Sequence, residues 1–111
     1  MTDMHDQIQK MIDKFHRKVE GDERTRAEVE KIHKTLNIDL GSEGFSMILD
    51  KGRITDFNDH LMEGADITVV STPESMRALI DGTLRPMKAY VTKKVAIKGK
   101  LDDIMHLRKL F

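Results

Sequence analysis

Near residue 36 the spacing of apolar residues changes from three-and-four to two, and that change limits what this chain can fold into. Before it, Met4, Ile8, Met11, Ile12, Phe15 and Val19 recur at steps of three and four, which places them along one side of a helix. After it, Leu36, Ile38 and Leu40 alternate with Asn37 and Asp39, and Phe45, Met47 and Leu49 take every second place of the next run. Such a period of two marks strands with one buried face. A helical start followed by strands predicts an α+β fold.

The punctuation between these runs supplies the remaining elements. Gly21 and Asp22 interrupt the first helix. Thr25 with Glu28 fits a capping box for a second short helix carrying Ala27, Val29 and Ile32, and a single bent helix fits as well. Turn residues at 41–44 and at Lys51 and Gly52 predict an antiparallel meander whose third strand covers 53–57, with a loop over 58–64. Ile67 and Val69, alternating with Asp66 and Thr68, give a fourth strand.

Thr72, Pro73 and Glu74 then offer a capping hydroxyl, a proline at the first helical position and an acid at the positive end of the dipole. Met76, Leu79 and Ile80 form that helix's stripe, and Gly82 stands where a left-handed residue closes it. A short helix from Pro86 is expected to bury Met87 and Tyr90. Val95 and Ile97, between Lys94 and Lys98, predict a fifth strand closed by Gly99. A final helix has Asp102 and Asp103 at its start and Arg108 and Lys109 at its end, both favourable to the macrodipole. Its Leu101, Ile104, Met105, Leu107, Leu110 and Phe111 cover most of the circumference. One side then meets the sheet, and the other either lies under a loop or lines a cavity or a partner.

With 111 residues, one domain over 1–111 is expected, a helical segment 1–34 followed by the sheet and its helices over 35–111. The formal net charge is zero, which argues against nucleic acid as a partner. The average hides an asymmetry. Residues 35–84 carry 3 basic and 9 acidic side chains, whereas 85–111 carry 8 basic and 2 acidic. Cysteine is absent, so thiolate chemistry is excluded and a reducing cytoplasm is the simplest location. The charged first residues do not read as a secretory signal, and no apolar run approaches membrane-spanning length. No phosphate loop, nucleophile elbow or paired metal ligands appear, and the five histidines (His5, His16, His33, His60 and His106) form no close ligand pair. A hydrolase or isomerase using His60 and Asp66 finds no support in their spacing. No cofactor, metal or enzyme is therefore expected.

Residues 65–70 and the capped helix ending at Gly82 resemble the second half of the sterol carrier protein 2 family. So does the continuation Gly82, Thr83, Leu84, Arg85, Pro86, Met87, Lys88, Ala89, Tyr90, and so do the strand at 94–99 and the helix at 101–110. The resemblance implies a five-stranded, mainly antiparallel sheet covered by helices. It also implies a hydrophobic tunnel between the two that accepts sterols, fatty acyl chains or acyl-CoA, in a domain that binds, presents or exchanges lipid. One departure is Lys93, which stands where the family commonly has a glycine before the fifth strand.

Eight methionines against 5% aromatic residues suit a cavity that tolerates several ligand shapes. The tunnel is expected to be lined by Met76, Leu79, Met87, Tyr90, Val91, Met105, Leu107 and Phe111, while Met4 and Met11 pack helix to core. Arg85, Lys88, Lys93, Lys94, Lys98 and Lys100 are candidates for holding lipid headgroups, the phosphates of CoA or an anionic membrane surface. The competing expectation is an interaction module or accessory subunit whose tunnel is filled by its own side chains and whose last helix makes a homodimer.

Overall fold

The computed structural model, which describes residues 4–110 with side chains as far as Met105, turns the change of period into a helical layer laid on a sheet. Two helices, α1 (Met4–Gly21) and α2 (Glu23–Val29), precede strands β1 (His33–Asp39), β2 (Gly44–Asp50), β3 (Arg53–Asn58) and β4 (Ile67–Val70). Helices α3 (Pro73–Asp81) and α4 (Pro86–Val91), strand β5 (Ala96–Gly99) and helix α5 (Leu101–Leu110) complete the order. Among the described residues no helix is long and apolar enough to cross a membrane.

The start of α2 departs from the expected capping box. Asp22 is the cap: its carboxylate accepts the Thr25 hydroxyl at 2.8 Å and the Arg24 N–H at 3.1 Å. These two bonds hold the Asp22 carboxyl below its ordinary range. Thr25 serves the cap rather than being it, and α2 begins three residues earlier than a Thr25 cap would allow. The expected start of α3 is observed in full, with the Ser75 N–H donating to Thr72 Oγ1 at 3.1 Å and Gly82 left-handed at φ 87°.

The strands lie in the order β3-β2-β1-β4-β5. All neighbours are antiparallel except β1 and β4, which run parallel. The expected mainly antiparallel, five-stranded α+β sheet is thus present, and the parallel pair has a plain cause. Strand β3 is an edge and β4 lies beyond β1, so residues 59–66 must cross β2 and β1 to reach it. Asn37, buried on the outer face, holds this crossover from both sides: its Nδ2 donates to the Met62 carbonyl at 2.7 Å and its Oδ1 accepts the Met62 N–H at 2.8 Å. Where the crossover ends, Asp66 accepts the Thr35 N–H at 2.9 Å and its own N–H donates to Thr35 Oγ1 at 2.9 Å. The bond from the Thr35 N–H is the main reason the Asp66 carboxyl sits below its ordinary range.

The inner face of the sheet follows from register. Leu36 faces Met47 on one side and Ile67 on the other, and Ile38 faces Phe45 and Val69, with Ile97 next in line across β5. Helix α1 lays Met4, Ile8, Ile12, Phe15 and Val19, all buried, into this core, and Val29 and Met76 close it. Met4 and Met11 therefore do pack helix to core. The helix is also tied to the free edge of β3. His16 Nε2 accepts the Ile54 N–H at 2.9 Å, and His5 stacks on Phe57 with ring centroids 4.5 Å apart. Burial, and then the nearby Arg53, lower the His16 pKa, in keeping with an acceptor nitrogen that must stay unprotonated.

Candidate functional site

At the β4–β5 end of the inner face the packing thins. Val69 on β4, Ile97 on β5 and Ile80 on α3 are only partly buried against the core, and Leu79 is likewise half-buried. Among the described residues six large apolar side chains are exposed, and five of them belong to α4 and α5: Met87 at 52%, Tyr90 at 55%, Val91 at 70%, Leu101 at 73% and Met105 at 45%. The sixth, Leu61, sits on the crossover. Apolar surface left to water is therefore gathered next to a thinly covered end of the sheet.

Helix α4 forms where the sequence places it but is turned the other way round. Met87 and Tyr90 point out, and Ala89 is the residue fully buried. The cause lies in backbone approach: the Ala89 carbonyl accepts the N–H of Lys94 at 2.8 Å and of Val95 at 3.2 Å, so the following segment folds back onto this position, where Ala89 is fully buried. Ser71 Oγ donates to the Lys94 carbonyl at 2.8 Å, which pins the same segment to the end of β4. Lys93 makes the turn with φ 62°. That is the left-handed conformation a glycine would adopt freely, at a cost of about 1 kcal/mol or more for lysine. The chain keeps the turn without the glycine.

Helix α5 supplies a contact that apolar spacing did not reveal. Among its described side chains the buried one is Asp103, whose Oδ1 lies 2.7 Å from Lys34 Nζ with only 7% of the carboxylate side chain exposed. The bond to Asp103 raises the Lys34 pKa. Lys34 occupies the position on β1 that precedes Leu36, Ile38 and Leu40 by steps of two, so it projects from the inner face. A charge standing in an otherwise apolar alternating row is the sequence signal that could have announced a buried acidic partner.

Of the residues expected to line a tunnel, Met76 lies in the closed core, Leu79 is half-buried, and Met87, Tyr90, Val91 and Met105 face outward. The Leu107 side chain and Phe111 lie outside the described residues. All six expected headgroup cations, Arg85, Lys88, Lys93, Lys94, Lys98 and Lys100, are exposed. Among the described residues no group of three or more His, Cys, Asp or Glu side chains gathers where a metal ion could be held.

The profile of the SCP-2 sterol transfer family matches residues 12–111. The chain belongs to this family. It is a lipid-binding, non-catalytic family, and solved structures similar to the chain show the same fold. A UbiJ-SCP2 ubiquinone synthesis protein superposes with a TM-score of 0.63 at 14% identity, covering 93% of this chain and 84% of that one. Palmitated SCP2L2 from Aedes aegypti gives a TM-score of 0.57 at 24% identity, covering 79% and 87%. The inverting sec-alkylsulfatase Pisa1 from Pseudomonas sp. gives 0.60 at 18% identity over 78% of this chain, which spans only 14% of the sulfatase. No curated protein sequence matches the chain.

Proposed function

We propose that this protein carries the hydrocarbon chain of a lipid, a fatty acyl group free or as acyl-CoA, and exchanges or presents it in the cytoplasm. The observation that carries the reading is the concentration of uncovered apolar side chains on α4 and α5, beside the part-covered Val69, Ile97 and Leu79. Leu79 forms the floor on which the chain lies, and Met87, Tyr90, Val91 and Met105 stand at the mouth through which it enters. The methionines suit this task, because unbranched thioethers adapt to chains of different length and bend. The likeness to a palmitated relative supports an acyl ligand over a rigid sterol.

Burial of about ten methylenes at roughly 0.8 kcal/mol each gives on the order of 8 kcal/mol, or about micromolar affinity before ordering costs. Such a site suits exchange rather than storage. Native mass spectrometry before and after delipidation, with titration by a fluorescent fatty acid, tests the reading. One acyl mass per chain and saturable binding near micromolar are expected, with Met105→Trp altering affinity or stoichiometry. Binding that Met105→Trp leaves untouched in the folded protein, or an empty dimer at every stage, ends the proposal.

A further inference from the structure

From Gly82 to Leu101 the chain contains no acidic residue, and it carries Arg85, Lys88, Lys93, Lys94, Lys98 and Lys100. All six are exposed. Helix α4 stands inside this stretch. Its outward face is made by Met87, Tyr90 and Val91, at i, i+3 and i+4, so the three share one side of the helix. Arg85 caps its start, Lys88 sits within it, and Lys93 and Lys94 follow its end. An apolar helix face flanked along the chain by exposed cations, in a stretch without acids, matches the boundary of a bilayer. Apolar groups enter the acyl region there, tyrosine takes the headgroup level, and lysine stems stretch toward phosphates.

We infer that the α4 face is a docking surface for an anionic phospholipid bilayer, with Met87, Tyr90 and Val91 entering the interface and the surrounding cations holding the headgroups. The inference rests on the carrier reading and names where the carrier meets its lipid source. Helix α1 does not offer such a face. The apolar stripe of α1 is spent in the core, and its outer side mixes Lys10, Lys14 and Arg17 with Asp6, Asp13 and Glu20. A second copy of the chain is poorly matched to the α4 face, because the cations around it would meet their own images across a two-fold axis.

The absence of tryptophan makes the surface directly observable. In Tyr90→Trp, emission should shift to the blue with vesicles of phosphatidylcholine and phosphatidylserine, and stay unchanged with phosphatidylcholine alone. In Leu61→Trp, on the crossover, it should stay unchanged with both. Co-sedimentation with the anionic vesicles should weaken steeply as salt is raised. Lys88→Gln and Lys94→Gln should each weaken it by about fivefold, and Val91→Ser should weaken it without changing the circular dichroism spectrum. No co-sedimentation at low salt, or an emission shift in the Leu61→Trp variant without one in the Tyr90→Trp variant, overturns the inference, as does a dimer dissolved by Val91→Ser in protein that ignores vesicles. Fatty-acid titration in vesicle-free buffer on the same samples keeps the two ideas apart: cargo binding without docking defeats the surface alone, and docking without cargo binding defeats the carrier.

Discussion

Helices α1 and α4 both carry an apolar stripe at helical spacing, yet they use it in opposite ways. On α1 the stripe is buried against the sheet, from Met4 to Val19, while histidines on the flank grip β3. On α4 the stripe faces out, and a single alanine faces in. Period alone states that a helix has two sides. It does not state which side meets the protein, because that is decided by how closely the backbone must approach, and at Ala89 two N–H groups from the next segment demand close approach.

The difference should be largest in stability. Ile8→Ala, at a fully buried site, is expected to cost about 2–5 kcal/mol in urea unfolding, and Val91→Ala less than about 0.5 kcal/mol. A cost at Val91 comparable to that at Ile8 would break the comparison by showing α4 to be packed against something in solution. Next comes the tie between the regions. Lys34→Met strands the buried Asp103 carboxylate and should cost about 2 kcal/mol, less than a fully buried pair because Lys34 still reaches water; adding Asp103→Leu should recover most of it. Equal stability of the single and double variants would show that α5 is not held at Asp103.

The smallest effect is the grip of α1 on β3. His16 has a folded pKa below its unfolded value, so the unfolded chain binds the extra proton. Its contribution is then whole above about pH 6.5 and drains as pH falls toward the folded value, as Nε2 ceases to accept from Ile54. Unfolding free energy should drop by about 0.5–1 kcal/mol from pH 7 to pH 5, and His16→Gln should flatten that slope. An unchanged slope in the variant would place the pH dependence elsewhere.

The elements whose causes are local were legible in the sequence. Thr72, Pro73 and Gly82 bound α3 through contacts within one or two turns, and the alternation of Leu36 to Leu49 names the inner face of β1 and β2 without reference to the rest of the chain. What escaped was set at a distance. Nothing near β1 or β4 announces that they pair in parallel, since that follows from β3 taking the edge and the chain crossing back. Asp103 looked like a helix-start acid and is one, but its burial depends on Lys34, far away in sequence. Of the candidate site, the residues that make the α4 face were legible as a group, whereas their outward direction was not.

The hold of Asn37 on Met62 changes how residues 59–66 should be regarded by anyone modifying this protein. An exposed segment between strands usually accepts inserted sequence, but this one is a strap stitched to the sheet at Met62 and Asp66, and lengthening it would loosen the joint between β1 and β4. The turn at Gly41, Ser42 and Glu43, exposed and joining strands that already adjoin, is the better place to graft a tag, a reporter or a second domain.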